Sequence, residues 1–179
     1  MLENLRKSIG LFASKMMLRG KPETMQPMTK FFTGAKSVLV SLPNGYDDAI
    51  VASKALRQFR DAMNHVHLTV IHNSTRHTEL VDYLHCEVVR IDPPEINWFF
   101  LPRPSLLGRI PKREFDVALD MNLDFVLHSA YICKASGARV RVGFSHPDAE
   151  SFYNVQINIA GPRTAENLYA KFADILNQF

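Results

Sequence analysis

Polar side chains that could do chemistry follow two apolar runs of the sequence. They are acids, amides and one glycine: Asn44, Gly45, Asp47, Asp48, Asp120, Asn122 and Asp124. Crowding can raise the pKa of one carboxyl group toward neutrality, so such a cluster could deprotonate a hydroxyl. A phosphate would instead need a glycine-rich turn and a cation. The turn after the first run has one glycine and two acids, so we expect no dinucleotide and no other cofactor.

The same acids have a structural interpretation that stays open. Carboxylates in the first turn of a helix are stabilised by the helix dipole and cap free N–H groups, which suits Asp47, Asp48 and Asp124. The chain has seven histidines, but none forms a recognised ligand set with a cysteine or an acid at fixed spacing. We therefore expect no metal site.

The elements that must position these residues alternate between short apolar strands and helices. The predicted strands are Ser37–Leu42, His65–Ile71, Glu87–Ile91, Asp116–Asp120, Arg139–Phe144 and Val155–Ile159. The predicted helices between and after them are Asp47–Met63, Thr78–Leu84, Asp124–Ser136 and Thr164–Gln178. This alternation predicts an α/β fold with one Rossmann-like, doubly wound, mostly parallel sheet of strand order 3-2-1-4-5. The ligand crevice would lie where the order reverses, between the first and fourth strands.

The first 21 residues form a basic amphipathic helix on the basis of their spacing. One helical face is apolar and consists of Leu2, Leu5, Ile9, Phe12 and Met16. Residues 1–21 also hold five Lys/Arg and one acid. Such a helix could lie on anionic lipid, dock on a partner or pack on its own domain. Residues 22–35 look like a linker, and residues 36–179 form the α/β domain.

Residues 92–111 carry five prolines and cannot form a long regular element. They also carry a heavy apolar load that includes Trp98, Phe99, Phe100 and Leu101. An exposed patch of this kind would mark an interface. The alternative is that the segment covers the edge of the sheet.

Length and composition are those of one globular domain. The chain has 179 residues, 46% of them hydrophobic and 22% charged, with a net charge of +3. This charge does not indicate nucleic-acid binding, and its excess lies in the first 21 residues. Two distant cysteines, no membrane-spanning run and no secretory signal predict a reduced protein that stays in the cytoplasm, with the basic helix able to hold it on the inner face of the membrane.

Two stretches resemble a known family. SVLVSLPNGYDDAIVASKALRQFR and FDVALDMNLDFVLHSAYICKASGARVRVGF are similar to motifs of the family 9 glycosyltransferases, the lipopolysaccharide heptosyltransferases. Phe152–Tyr153–Asn154 extends the similarity, and Asn97–Trp98–Phe99 resembles a segment of short, uncharacterised bacterial proteins. The resemblance covers about residues 36–179.

The resemblance implies half of a GT-B fold, with Asp48 in the position of the base that activates the acceptor hydroxyl. Asp47 replaces the glycine of the family's motif, and Lys54 replaces a helix proline. The family has two Rossmann-like halves, of which the first binds the acceptor and the second the sugar donor. We expect this chain to correspond to the acceptor half and not to catalyse transfer alone.

The leading hypothesis is thus a non-catalytic, glycosyltransferase-like interaction subunit of a membrane-associated complex. Its working parts would be the basic helix and residues 92–111, which we call the aromatic loop. The alternatives are an acceptor-binding domain that works with a separate donor-binding chain and a metal-dependent hydrolase that uses the acidic crevice.

Overall fold

The apolar runs form a six-stranded sheet in the computed structural model, which describes residues 2–20, 34–62, 64–73, 80–158 and 164–177. The strands are β1 Ser37–Ser41, β2 His67–Asn73, β3 Glu87–Ile91, β4 Val117–Asp120, β5 Val140–Phe144 and β6 Val155–Ile157. All pair in parallel in the order β3-β2-β1-β4-β5-β6. The predicted order is confirmed, and β6 extends it by one strand beside β5.

Five helices cover both faces of the sheet within the described residues. They are α1 Leu2–Met17, α2 Tyr46–Ala62, α3 Pro104–Arg109, α4 Leu127–Ala135 and α5 Ala165–Asn177. Leu56 of α2 and Phe172 of α5 share a core with Val38 and Val40 on one face of β1. Leu106 of α3 and Ile132 of α4 pack on the opposite face. Every residue of β1 and β4 is buried, as central parallel strands require.

Several predicted boundaries move in the structure. The largest change is at α4, which begins at Leu127 instead of Asp124. Phe125 is held by stacking on His146 at 5.1 Å and by packing on Phe152, so residues 124–126 do not join the helix. β2 begins and ends two residues later than predicted. Of the predicted helix Thr78–Leu84, the described part holds only a 3-10 turn at Asp82–Leu84.

The proline-rich segment is mostly irregular and contains the six-residue helix α3. Pro104 stands in the first turn of α3, where its missing N–H has no helical partner to lose. Residues 22–33 of the proposed linker lie outside the described residues, as does residue 159 of the last predicted strand. No helix in the described ranges is both long and apolar enough to cross a bilayer.

Candidate functional site

The carboxyl ends of β1 and β4 meet where the strand order reverses, because Ser41 pairs with Asp120. The loops that follow these strands are tied together. The backbone N–H of Asn44 donates to Oδ1 of Asn122 at 3.0 Å, and Nδ2 of Asn73 donates to Oδ1 of Asn44 at 3.2 Å. The predicted crevice is therefore bridged by hydrogen bonds at its centre.

Asp120 belongs to a buried hydrogen-bond network and does not line an open crevice. Tyr153 donates its hydroxyl to Oδ2 of Asp120 at 2.5 Å, and the backbone N–H and Nδ2 of Asn122 donate to Oδ1 at 3.0 and 2.7 Å. Nδ2 of Asn122 also contacts Oγ of Ser129, which pairs with Oγ of Ser41. Burial raises the pKa of Asp120 to about 6, and the three hydrogen bonds oppose that rise. Asp120 and Asn122 connect β1, β4 and the segment after β5.

Two of the four predicted carboxylates share a cavity of about 190 Å³. Its lining combines acids, an amide and a hydroxyl with apolar side chains: Asp48, Leu123, Asp124, Phe144, Ser145, Ile157, Asn158 and Leu168. Asp48 is half-buried in the first turn of α2, whereas Asp47 is exposed and does not line the cavity. Such a cavity can hydrogen-bond the hydroxyls of a small polyol and accept a proton at Asp48 or Asp124. We call it the Asp48 cavity.

Tyr169 connects the Asp48 cavity to the buried network. Its hydroxyl donates to the carbonyl oxygen of Met121 at 2.8 Å. Burial, followed by the charges of Asp48 and Asp120, raises the pKa of Tyr169 far above its usual value. Tyr169 is therefore a neutral donor that holds α5 against the end of β4.

A second cavity, also of about 190 Å³, lies under α1 on the α4 side of the sheet. Its lining comes from α1, the loop after β1, the aromatic loop and the start of α4: Glu3, Lys7, Asn44, Phe100, Phe125, Val126, Leu127 and His128. Burial lowers the pKa of His128 to about 4, so its imidazole is neutral near pH 7. No local pattern in the sequence indicates this cavity, because it exists only when α1 docks.

Helix α1 packs on its own domain, but not by the face that the spacing of apolar residues suggested. The buried positions are Gly10 and Ser14 in the helix and Leu18 directly after it. At Gly10, a Cβ atom would overlap the carbonyl oxygen of Phe99 and lie 3.0 Å from a methyl group of Leu127. The small side chains therefore let the helix approach closely.

Polar contacts fix the N-terminal half of α1. Nε of Arg6 donates to the carbonyl oxygen of Trp98 at 2.8 Å, and the guanidinium lies 3.5 Å from the centroid of the Trp98 ring. The ammonium of Lys7 lies 5.7 Å from the ring of Phe125. These contacts join α1 to the aromatic loop and to the start of α4.

The predicted apolar face of α1 remains exposed. The exposed fractions are 68% for Leu2, 59% for Leu5, 43% for Ile9, 69% for Phe12 and 54% for Met16. These five side chains form the outer stripe of α1. The helix therefore both packs on its domain and displays an apolar surface.

The aromatic loop divides its side chains between the core and the surface. Trp98 is 62% exposed and Phe99 39%, whereas Phe100 is half-buried. Leu101, one of the residues proposed for an interface, is only 5% exposed and belongs to the core instead. The side chain of Asn97 accepts the backbone N–H groups of Phe99 and Leu101, and Phe100 has a left-handed φ of 61°. This tight turn directs Leu101 into the core.

No group of three or more His, Cys, Asp or Glu side chains in the described part of the chain could hold a metal ion. Both cysteines are free, with Cys133 buried and Cys86 half-buried. Burial raises the pKa of both thiols, so neither is a reactive thiolate near neutral pH.

The fold resembles that of family 9 glycosyltransferases. No family model and no curated protein matches the chain. The Escherichia coli heptosyltransferase WaaC with ADP-2-deoxy-2-fluoro heptose superposes with a TM-score of 0.61 at 14% identity, over 78% of this chain and 47% of that one. WaaC with ADP gives 0.57 at 18% identity, over 75% and 46% of the two chains.

A family 9 glycosyltransferase from Veillonella parvula gives a TM-score of 0.58 at 19% identity, over 80% of this chain and 40% of that one. The chain thus spans less than half the length of each of these three structures. The resemblance seen in the sequence is confirmed at the level of the fold: a Rossmann-like sheet of the kind that forms part of a GT-B enzyme.

Proposed function

We propose that this chain is a non-catalytic, glycosyltransferase-like domain that serves as an interaction subunit of a membrane-associated complex on the cytoplasmic side. The observation that carries the proposal is the two-sided use of α1. Its small-residue face is fixed to the domain, and its outer stripe is 43–69% exposed. Contiguous exposed apolar side chains on a monomer mark a surface that a partner covers.

The aromatic loop extends this surface. Trp98 lies against Arg6 of α1, and its neighbour Phe99 touches α1 at Gly10 through its backbone. Trp98 and Phe99 are both exposed beside the helix. We call the outer stripe together with Trp98 and Phe99 the docking surface.

The limited space at the carboxyl edge of the sheet supports a role without catalysis. α1 covers it on the α4 side through Glu3 and Lys7, and the hydrogen bond from Asn44 to Asn122 closes its centre. Each of the two cavities described above is about 190 Å³, below the roughly 300–1,000 Å³ of ordinary ligand pockets. Such space suits one sugar ring at most, and not a nucleotide sugar beside an acceptor.

The experiment is a pull-down of the tagged chain from its native cells, followed by separation of soluble and membrane fractions. The test variant carries Ile9→Glu and Phe12→Glu, and the control carries Val88→Glu. Val88 is 42% exposed on the edge strand β3 and is not part of the docking surface. All three positions are exposed, so we expect each variant to fold.

The proposal expects the wild type and Val88→Glu to travel in the membrane-associated assembly and the double variant to be released from it. Equal recovery of the double variant in that assembly would contradict the proposal. Circular dichroism of the purified variants verifies that a loss of assembly does not come from a loss of fold.

The second candidate function is an acceptor-binding domain that acts with a separate donor-binding chain. The Asp48 cavity favours it, because carboxylate, amide and hydroxyl groups surround a space of sugar-ring size. By the resemblance, Asp48 would be the base that activates the acceptor hydroxyl.

Isothermal titration with sugar nucleotides and lipid-linked glycans tests this second candidate. Micromolar binding that Asp48→Asn removes and Asp47→Asn retains would support it, because Asp47 is exposed and does not line the cavity. Absence of binding, or equal binding by both variants, would count against it.

A further inference from the structure

The outer stripe of α1 runs the whole length of the helix. Its five members follow one another at spacings of three and four residues, so they lie in one line along a helix of about 24 Å. All five are at least 43% exposed. The stripe is convex and belongs to one helix, which suits a flat, deformable surface.

The stripe is already formed before anything covers it. Gly10, Ser14 and Leu18 are buried against the domain, and Arg6 is bound to the backbone and ring of Trp98. Many membrane-binding helices must fold as they bind, which weakens binding by the free energy of ordering. Because α1 is fixed in advance, binding requires little further ordering.

The charges beside the stripe are positive. Lys15 in the last turn of α1 and Arg19 just past its end are both exposed. The single acid of the helix, Glu3, is exposed and lines the second cavity at the N-terminal end of the helix, twelve residues before Lys15. An anionic surface is therefore complementary to the exposed flank.

Trp98 adds a residue type that prefers the boundary between water and lipid. Trp98 is 62% exposed, and the Arg6 guanidinium lies 3.5 Å from the centroid of its ring. Tryptophan is enriched at the headgroup level of membranes, where one part of the ring is apolar and its N–H stays wet. Trp98 is also the only tryptophan of the chain, so its emission reports on this position.

We propose that the docking surface lies on an anionic lipid bilayer, with the outer stripe of α1 at the boundary of the headgroups and the acyl chains. The inference rests on the proposed function in using the same surface, and it names lipid as what that surface touches. Because Glu3 and Lys7 of α1 line the second cavity, this arrangement holds the carboxyl edge of the sheet at a fixed distance from the membrane.

The test measures co-sedimentation of the full chain with vesicles of phosphatidylcholine alone and of phosphatidylcholine with 25% phosphatidylglycerol. We expect binding to the anionic vesicles that is at least about 25-fold stronger than to the neutral ones. It should come with a blue shift of Trp98 emission. Each basic residue near an anionic surface contributes roughly fivefold to binding, so Lys15→Ala with Arg19→Ala should weaken it about 25-fold.

The variant with Ile9→Glu and Phe12→Glu should lose vesicle binding, and Val88→Glu should retain it. Equal binding to neutral and anionic vesicles, or binding that the double variant keeps, would overturn the inference. Absence of vesicle binding by the wild type would overturn it as well. If the same double variant then still lost its assembly in cells, the surface would bind a protein, and the proposed function would stand without the lipid.

Discussion

Gly10→Ala should disturb the packing of α1 on the domain, although alanine normally stabilises a helix. The Cβ atom of an alanine at this position would overlap the carbonyl oxygen of Phe99 and lie 3.0 Å from Leu127. The obstacle is backbone and cannot rotate away. Either α1 lifts or the aromatic loop shifts.

The expected size of the effect follows from two opposed contributions. Replacing a helical glycine by alanine gains about 1 kcal/mol of helix propensity. Overpacking a close contact costs roughly 1–3 kcal/mol. The obstacle here is backbone, which places the cost at the upper end of that range, so we expect the free energy of unfolding to fall by about 1–2 kcal/mol.

Gly108→Ala is the matched control, because Gly108 lies in α3 and a Cβ atom added there would meet no neighbouring atom within 4 Å. It should leave the free energy of unfolding unchanged or raise it by up to ~1 kcal/mol. Urea unfolding followed by circular dichroism measures both variants. The emission of Trp98 reports docking, because Arg6 lies 3.5 Å from its ring in the docked state.

The close approach of α1 would be refuted by one pair of results. These are a Gly10→Ala variant at least as stable as the wild type and an unchanged Trp98 emission spectrum. An equal loss of stability in Gly108→Ala would also refute the close approach of α1, because the loss in Gly10→Ala would then not depend on the contact with Phe99.

Three further predictions concern the core of the domain. The folded state binds the proton of Asp120 more tightly than the unfolded chain does, with a pKa of about 6 against 3.8, so this carboxyl group contributes a fall of ~2 kcal/mol in the free energy of unfolding as the pH rises from 4 to 7, while the lowered pKa of His128 contributes in the opposite direction. The difference in free energy of unfolding between the wild type and Asp120→Asn should therefore fall by ~2 kcal/mol over this range in urea titrations at several pH values, and a difference that does not change with pH would contradict the assignment. Gly143→Ala should lower the free energy of unfolding by about 1–3 kcal/mol, because the added Cβ atom would lie 2.6 Å from the Tyr153 ring. Thermal denaturation measures this change, and an unchanged melting temperature would show that Tyr153 moves freely. Leu101→Ala should lower the free energy of unfolding by about 2–5 kcal/mol, because its side chain is buried. Leu5→Ala should change it by under ~0.5 kcal/mol, because Leu5 is 59% exposed. Similar values for the two variants in urea unfolding would contradict the placement of these side chains.

The sheet could be predicted from the sequence because its signals are local. Continuous apolar runs such as residues 38–40 identify buried strands, and their alternation with helices leaves few possible connections. The strand order followed from those rules. The ends of elements could not be predicted in this way. The start of α4, for example, depends on contacts of the Phe125 ring with His146 and Phe152, which are distant from it in sequence.

The candidate sites could be predicted only in part. Asp48 and Asp124 share a cavity because both follow strand ends, which the sequence indicates. The burial of Asp120 depends on Tyr153, 33 residues away, and no local pattern marks that contact.

The face by which α1 packs on its own domain could not be predicted from the spacing of apolar residues either. Apolar spacing identifies Leu5 and Phe12, but the helix packs through Gly10 and Ser14, whose small size matters only next to a particular backbone. A stripe of large apolar side chains therefore predicted the exposed face of the helix and not its buried face.

Photo-crosslinking in the native cells tests most directly whether the outer stripe of α1 is the working surface. A benzophenone amino acid would replace Phe12 in one variant and Val88 in another, since both positions are exposed. The account predicts crosslinks from position 12 to lipid or protein of the membrane fraction, and none above background from position 88. Equal yields from the two positions, or no crosslink from position 12, would contradict it.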